Sequence, residues 1–298
     1  NHLWVKNQFY KPLLFIEGGA FTTVLQEFTK DEWNSRSFPD TEKRPIPTPE
    51  EKEKMDKEII TLGNLLKDSG VWWQVDGSLN ISLLKGEYIG VHRDVDVSFL
   101  REEISQLEGH LIKHKYGLFL LKRERNPETE KTNKRIFRRV GSSAFRNSND
   151  DAWRTRICAI NEAGEIQTNT DLPLIDTSII EKDNEGQFRG WLNTVIPERW
   201  LKRQTIDFKG IQIQLSHPAY FLAHKMWFTR VSDDDDLEQF VQLGTLSPQD
   251  IEEVSATAEP LLRHFETGSL TDKKHAEKIR ARLTKIRKVV SRDEGKKR

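Results

Sequence analysis

The chain has 298 residues, enough for one large domain or two modest ones. Its 47 Lys and Arg balance 47 Asp and Glu, so no overall field draws it to nucleic acid or to an anionic membrane. One cysteine, Cys158, excludes an intrachain disulfide framework, and no apolar run approaches the roughly 20 residues that span a bilayer.

Trp4, Phe9, Tyr10, Leu13, Leu14, Phe15 and Ile16 are too apolar for a disordered tail and are expected to pack on the main body. Residues 37–49, rich in Pro, Asp and Lys, read as a loop. Thr48-Pro49-Glu50-Glu51 is a capping box with proline at the first helical position. The helix it opens has Met55, Ile59, Leu62 and Leu66 on one face and is expected to end at Gly70. Then come a strand over 71–75, a Gly77-Ser78 turn, a short helix over 79–84 and a strand over 94–100. A helix over 101–113 leads to a strand over 118–123, a charged loop over 125–134 and strands over 136–140 and 156–160. The turn chemistry of 161–164 predicts a hairpin between 156–160 and 166–168. An apolar strand over 174–180 follows, then a hairpin of 205–208 with 211–215 around Lys209-Gly210. Beyond Ser216 the period turns helical: Pro218 opens a helix, and more are expected over 237–243, 248–257, 260–265 and 272–290. The change near residue 216 predicts two domains, 1–216 and 217–298.

Side chains alternate along a strand, so Asp94 and Asp96 point to one face while Val95 and Val97 anchor the other. Two like charges so close repel unless a cation lies between them, and Mg²⁺ is the simplest hard cation for carboxylate oxygens. An exposed strand with polar residues in water is the plainer reading of the same alternation. Gly77 lets the backbone approach a ligand, and Ser78 adds a hydroxyl at a helix start that receives anions. Arg93, beside His92, is a candidate to face phosphates, with loop surface as the alternative. Asp176 is an aspartate inside an apolar strand, costly unless paired or metal-bound. Its rival as a third carboxylate, Asp207, lies beside a hairpin turn. His110, His114, His217 and His224 lack zinc-ligand spacing. Cys158, in an apolar strand, reads as core rather than nucleophile. The tryptophans 72, 73, 153, 191, 200 and 227 read mostly as core, with one or two free to stack a base.

Val75-Asp76-Gly77-Ser78 followed by Asp94-Val95-Asp96-Val97 resembles the signature of the nucleotidyltransferase superfamily that includes the aminoglycoside and lincosamide nucleotidyltransferases. The tryptophans before the glycine and His92-Arg93 before the aspartates are similar to the antibiotic-modifying members. The resemblance implies an α+β fold, a nucleotidyltransferase-like mixed-sheet domain followed by a C-terminal helical domain. It implies Mg²⁺ held by Asp94, Asp96 and Asp176, with Asp176 completing the metal cage or acting as general base. Gly77, Ser78 and Arg93 would meet a nucleoside triphosphate, ATP being expected, and Lys225, on the helix opening the second domain, would reach its phosphates. Arg230 with Ser232, Asp233 and Asp236 resembles a later family segment, although acidic residues at a helix start also simply stabilise its dipole.

An adenylyltransferase-like enzyme modifying a small, cationic, aminoglycoside-type acceptor is the reading that results. An acidic cleft lined by Asp76, Asp94, Asp96 and Asp176 suits such an acceptor. The resemblance also permits a tRNA end or a protein hydroxyl, as in nucleotidyltransferase toxins of toxin–antitoxin systems. A different class of reading is a catalytically silent nucleotide-binding protein on the same fold, for which Asp76 and the long 79–93 spacer speak. An RNA-binding role for the basic stretch 273–298 is weaker than an amphipathic closing helix. One cysteine and no secretory layout make a cytoplasmic location the expectation, with no membrane partner.

Overall fold

In the computed structural model the described residues are 25–29, 43–92, 94–125, 132–139, 154–190, 194–226 and 230–297. The apolar N-terminal residues 4–16, Arg93 and the tryptophans 153, 191 and 227 lie outside them.

Thr48 caps the first helix as its sequence predicts. Its hydroxyl accepts from Glu51 N at 3.2 Å, and the Glu51 carboxylate accepts from Thr48 N at 2.8 Å. The helix, α1 (Pro49–Leu66), buries Met55, Ile59, Leu62 and Leu66. It stops four residues before Gly70, because the Ser69 hydroxyl donates to Leu66 O at 2.7 Å and closes the last turn. The other elements are β1 (Leu25–Thr29), β2 (Trp73–Val75), α2 (Leu79–Lys85), β3 (Val95–Leu100), α3 (Ile104–Lys113), β4 (Tyr116–Arg125), β5 (Thr132–Arg139), β6 (Arg154–Ala159) and β7 (Leu174–Lys182). Two short strands, β8 (Phe188–Arg189) and β9 (Val195–Ile196), precede the hairpin of β10 (Gln204–Phe208) and β11 (Ile211–Leu215). Four helices close the chain: α4 (Pro218–Met226), α5 (Val231–Gln242), α6 (Pro248–Glu266) and α7 (Leu270–Lys297).

The strands form a mixed sheet in the order β1-β5-β4-β6-β7-β3-β2-β11-β10. The pairs β3–β7 and β2–β11 are parallel and the others antiparallel. The fold is α+β, with a mixed sheet first and helices at the C-terminal end, as expected.

Three differences from the sequence reading have local causes. The expected hairpin after β6 is a single bridge, Ile160 to Ile166, because the Asn161 side chain closes the turn itself, accepting from Ala163 N and Glu165 N at 2.9 Å. The expected helices 248–257 and 260–265 are one helix, α6, running through Pro260. Ile251, Val254, Ala258 and Leu262 keep one face buried across the proline, and that burial outweighs the lost hydrogen bond. A 3-10 turn over Arg101–Glu103 takes the first residues of the expected helix before α3.

Strand β3 faces two ways. Val95, Val97 and Phe99 enter one core with α1, α3 and β2. Leu100, on the other face, packs on a second core built by α4–α7. Strand β7 repeats the division, with Ile175 and Ile179 in the first core and Ile180 in the second. The second core also takes in Ile81 of α2 and Trp200. Among the described residues no helix is long and apolar enough to cross a membrane.

Asn80 fastens the turn after β2 to the start of the helical region. Its amide nitrogen donates to Val75 O at 2.8 Å and to the Ser216 hydroxyl at 3.0 Å, and its oxygen accepts from Ser216 N at 3.3 Å. Asn80 is fully buried, so Asn80→Ala leaves buried partners unmatched. We expect a loss of about 2 kcal/mol in denaturant unfolding, with an unchanged slope.

Candidate active site

The register of β3 on β7 sets Asp96 directly beside Asp176. Asp94 lies two residues before Asp96, on the same face. One oxygen from each of the three carboxylates lies within 4.8 Å of the other two. Burial foremost, then the charge of Asp94, pushes Asp96 up to about 7, against the pull of Lys225, Arg156 and Arg230. Arg156, opposite Asp176 on β6, pairs its Nε with Asp176 Oδ1 and is itself buried. Three hard oxygen ligands on three backbone positions fit a divalent cation such as Mg²⁺ better than any softer ion. Asp207, the rival third carboxylate, is exposed, and its oxygens accept from Gly210 N and Gln212 Nε2 in the β10–β11 turn.

Gly77 is required by close approach. Its φ is +67°, and a Cβ there would lie 2.4 Å from Asp96 Oδ2. Ser78 follows at the start of α2. Its hydroxyl meets His92 Nδ1 at 3.3 Å, while His92 Nε2 meets the Ser82 hydroxyl at 2.8 Å. Buried His92 thus joins the Ser78 hydroxyl to Ser82 and orients it at the edge of the cleft that His92 also lines.

Asp76 does not line an acidic cleft. It is 2% exposed and lies behind the site, where Gln74 Nε2 donates to it at 3.1 Å and the Ser98 hydroxyl donates to its other oxygen. Tyr220 of α4 completes the chain of hydroxyls, 3.0 Å from Ser98. Burial foremost raises Asp76 to about 8.

The cleft lined by Asp94 and Asp96 is lined also by Ser78, His92 and Ser232 and by three cations, Arg44, Lys225 and Arg230, which make its cationic wall. Lys225, on α4, is buried, with its Nζ 3.0 Å from Asp233 Oδ1 and 2.7 Å from Asp236 Oδ2. Arg230 holds Asp233 through Nε at 2.9 Å and Nη2 at 3.1 Å. Burial alone would raise Asp233, but the charge of Lys225 and the Arg230 hydrogen bonds hold it near 2. Asp233 does cap α5, as its place at a helix start predicts, and it also pairs with two cations. Cys158 is buried in core with Phe119 and Phe137, and burial raises its thiol, which suits core rather than nucleophile.

Two site residues, Arg44 and Arg156, escape the sequence reading. Arg44 lies in a charged loop and Arg156 in an ordinary strand, and neither carries a motif. Asp233 and Asp236 carry a weak signal, being three apart on a helix and so on one face, while Asp234 between them is exposed.

Residues 58–136 match the family model for aminoglycoside-2''-adenylyltransferase. The match contains Gly77, Ser78, Asp94 and Asp96, and over that segment the resemblance to the nucleotidyltransferase superfamily, a superfamily of enzymes, is borne out. No curated protein matches the chain. Among solved structures, the chain is similar to a lincosamide antibiotic adenylyltransferase with lincomycin bound, at 16% identity and a TM-score of 0.37, over 63% of this chain and 96% of that one. It is similar to the antibiotic-resistance factor ANT(2'')-Ia in solution, at 10% identity and a TM-score of 0.41, over 72% of this chain and 95% of that one. An antigenic nucleotidyltransferase-like protein from Paracoccidioides brasiliensis is similar at 13% identity and a TM-score of 0.38, over 78% and 94%.

The raised carboxyls set a pH dependence. Asp96 and Asp76, at about 7 and about 8 when folded, ionise near 3.8 when unfolded. Between those values the folded chain binds more protons than the unfolded one, so their contribution to stability falls as pH rises. In chelator, the melting temperature is expected to decline from about pH 5 to pH 8. The decline should be shallower in Asp76→Asn and in Asp96→Asn; equal slopes in all three proteins would contradict the burial argument.

Proposed function

We propose that this chain is a Mg²⁺-dependent nucleotidyltransferase, moving a nucleoside monophosphate from a nucleoside triphosphate, ATP by expectation, to the hydroxyl of a small acceptor of the aminoglycoside type. The observation that carries the reading is the meeting of three carboxylates from β3, its approach and β7, opposite a wall of Lys225 and Arg230. The family-model match over the same motif supports it. In this reading residues 1–216 form the catalytic part and 217–298 the helical part, with the acceptor between them.

Asp94, Asp96 and Asp176 would hold the ion, which supplies neutralisation of phosphate charge and polarisation of the attacking oxygen. The remaining chemistry falls to the chain. Gly77 and Ser78 receive the polyphosphate where backbone can come close, and His92 keeps the Ser78 hydroxyl oriented. Lys225 and Arg230 neutralise the phosphates from the far side. Asp176, paired with Arg156, would take the proton of the acceptor hydroxyl. The acceptor oxygen then bonds to the α-phosphorus, the bond from that phosphorus to the bridging oxygen breaks, and pyrophosphate leaves. A cationic acceptor is favoured by the acidic side of the cleft, where Asp94, Asp96 and Asp176 come together.

One observation favours a second reading. The pairing of Arg156 with Asp176 engages the third carboxylate, as suits a protein that binds nucleotide without turning it over. Turnover separates the two. Each nucleoside triphosphate is incubated with Mg²⁺ and a pool of hydroxylated antibiotics or tRNA, and pyrophosphate and label transfer are read. The proposal expects transfer to a small acceptor, lost in chelator and reduced on the order of 10²–10³-fold in Asp94→Ala and Asp96→Ala. Binding without pyrophosphate release supports the silent reading, and transfer to tRNA alone overturns the acceptor class.

A further inference from the structure

The cationic wall reaches beyond the helical region to a residue of the segment ahead of α1. Arg44 meets Asp236 with both terminal guanidinium nitrogens, Nη2 to Oδ2 at 2.9 Å and Nη1 to Oδ1. Its side chain is 10% exposed and lines the same cleft as Asp94 and Asp96. The segment is seated for this: Val91 N donates to Pro45 O at 2.9 Å. Gly90 lets the chain pass, since a Cβ there would lie 2.5 Å from Arg44 Cβ. Arg44 lies outside the span 58–136 that matches the family model.

Asp236 also accepts from Lys225, at 2.7 Å, so Arg44 and Lys225 share one carboxylate. Among the described residues these contacts join three cations, Arg44, Lys225 and Arg230, and two carboxylates, Asp233 and Asp236. The balance is 3 − 2 = +1. Without Arg44 it is 2 − 2 = 0, with Lys225 and Arg230 together balanced by Asp233 and Asp236. Asp234 and Asp235 are engaged elsewhere, with Arg282 and Lys278 and with Lys43.

We propose that Arg44 is a positioning residue for the polyphosphate: by taking Asp236 it leaves Lys225 with positive charge to offer, and so sets the net charge of the wall. This rests on the nucleotidyltransferase reading of the cleft. The role is electrostatic and not a matter of packing, so it is set by the count of charges and can be restored without Arg44.

The test uses the full chain and inorganic tripolyphosphate with Mg²⁺, which removes any dependence on the base, and reads affinity by calorimetry. Arg44→Ala should weaken binding about tenfold, the loss shrinking as salt rises. Asp236→Asn, at 3 − 1 = +2, should bind more tightly than the wild type. The double variant Arg44→Ala/Asp236→Asn returns to 2 − 1 = +1 and should regain wild-type affinity. In assays of turnover, Arg44→Ala should raise KM for the nucleotide and leave kcat within about twofold. A merely structural Arg44 predicts instead that the double variant binds no better than Arg44→Ala, which overturns the inference. So does an Arg44→Ala protein that binds as tightly as the wild type. If the wild type itself fails to bind tripolyphosphate and every triphosphate, the reading of the cleft has failed and the inference falls with it.

Discussion

Three carboxylates with oxygens inside 4.8 Å of one another repel, and the fold is arranged so that they cannot move apart. Asp96 and Asp176 are locked by the β3–β7 register, and Asp94 by its step of two along the same chain. Neither strand can slip by one residue, because that would turn Val95, Val97, Ile175 and Ile179 out of the first core and put charge into it. The apolar alternation thus sustains an electrostatic arrangement that is unfavourable on its own account. Burial foremost, and then the charge of Asp94, raises the proton affinity of Asp96, and a divalent cation is the simplest way to relieve the repulsion.

That arrangement sits where two cores meet. One face of β3 belongs to the sheet core. The other runs from Asp94 and Asp96 through Ser98 to Leu100, which touches the helical core. Ser98 is the intermediate link, joined to Asp76 behind the site and to Tyr220 on α4. Asn80 makes a second link, between the Gly77 turn and Ser216. The position of Lys225 relative to the carboxylates is therefore not left to a flexible connection. Tyr220 and Lys225 lie on one short helix, the first held by the sheet and the second by Asp233 and Asp236.

Much of this was legible in the chain. The strand with alternating Asp and Val, the glycine turn and the capped α1 follow from period and from turn chemistry. Asp176 stood out because a carboxylate in an apolar strand needs a partner. What could not be read depends on distance across the fold. Asp76 looks like one more acid beside the glycine, yet the sheet turns it inward to Ser98, so the cleft has one carboxylate fewer than its sequence suggests. Lys225 was readable as a phosphate ligand but not as the centre of a buried ion cluster, since its partners come from the next helix. Pro260 misled in the other direction, because a proline marks a break only where no continuous buried face carries the helix past it.

The same logic bears on how the protein responds to its ligands. A cluster of acids on one wall and a surplus of base on the other each carry an energetic cost while apart and uncompensated. In the proposed reading a polyanion with its cation would satisfy both walls at once, the cation meeting the carboxylates and the phosphates meeting Lys225 and Arg230. Whatever binds the folded chain and not the unfolded one stabilises it by mass action, and in the proposed reading the gain would come from groups held at a disadvantage without a ligand. Binding energy and fold stability would then be coupled through the same side chains. The elements that carry them, β3, β7, α4, α5 and the segment ahead of α1, come from distant parts of the chain. A polyphosphate in the cleft would draw together parts that the backbone connects only remotely, with the Arg44–Asp236 contact as the tie between the two ends.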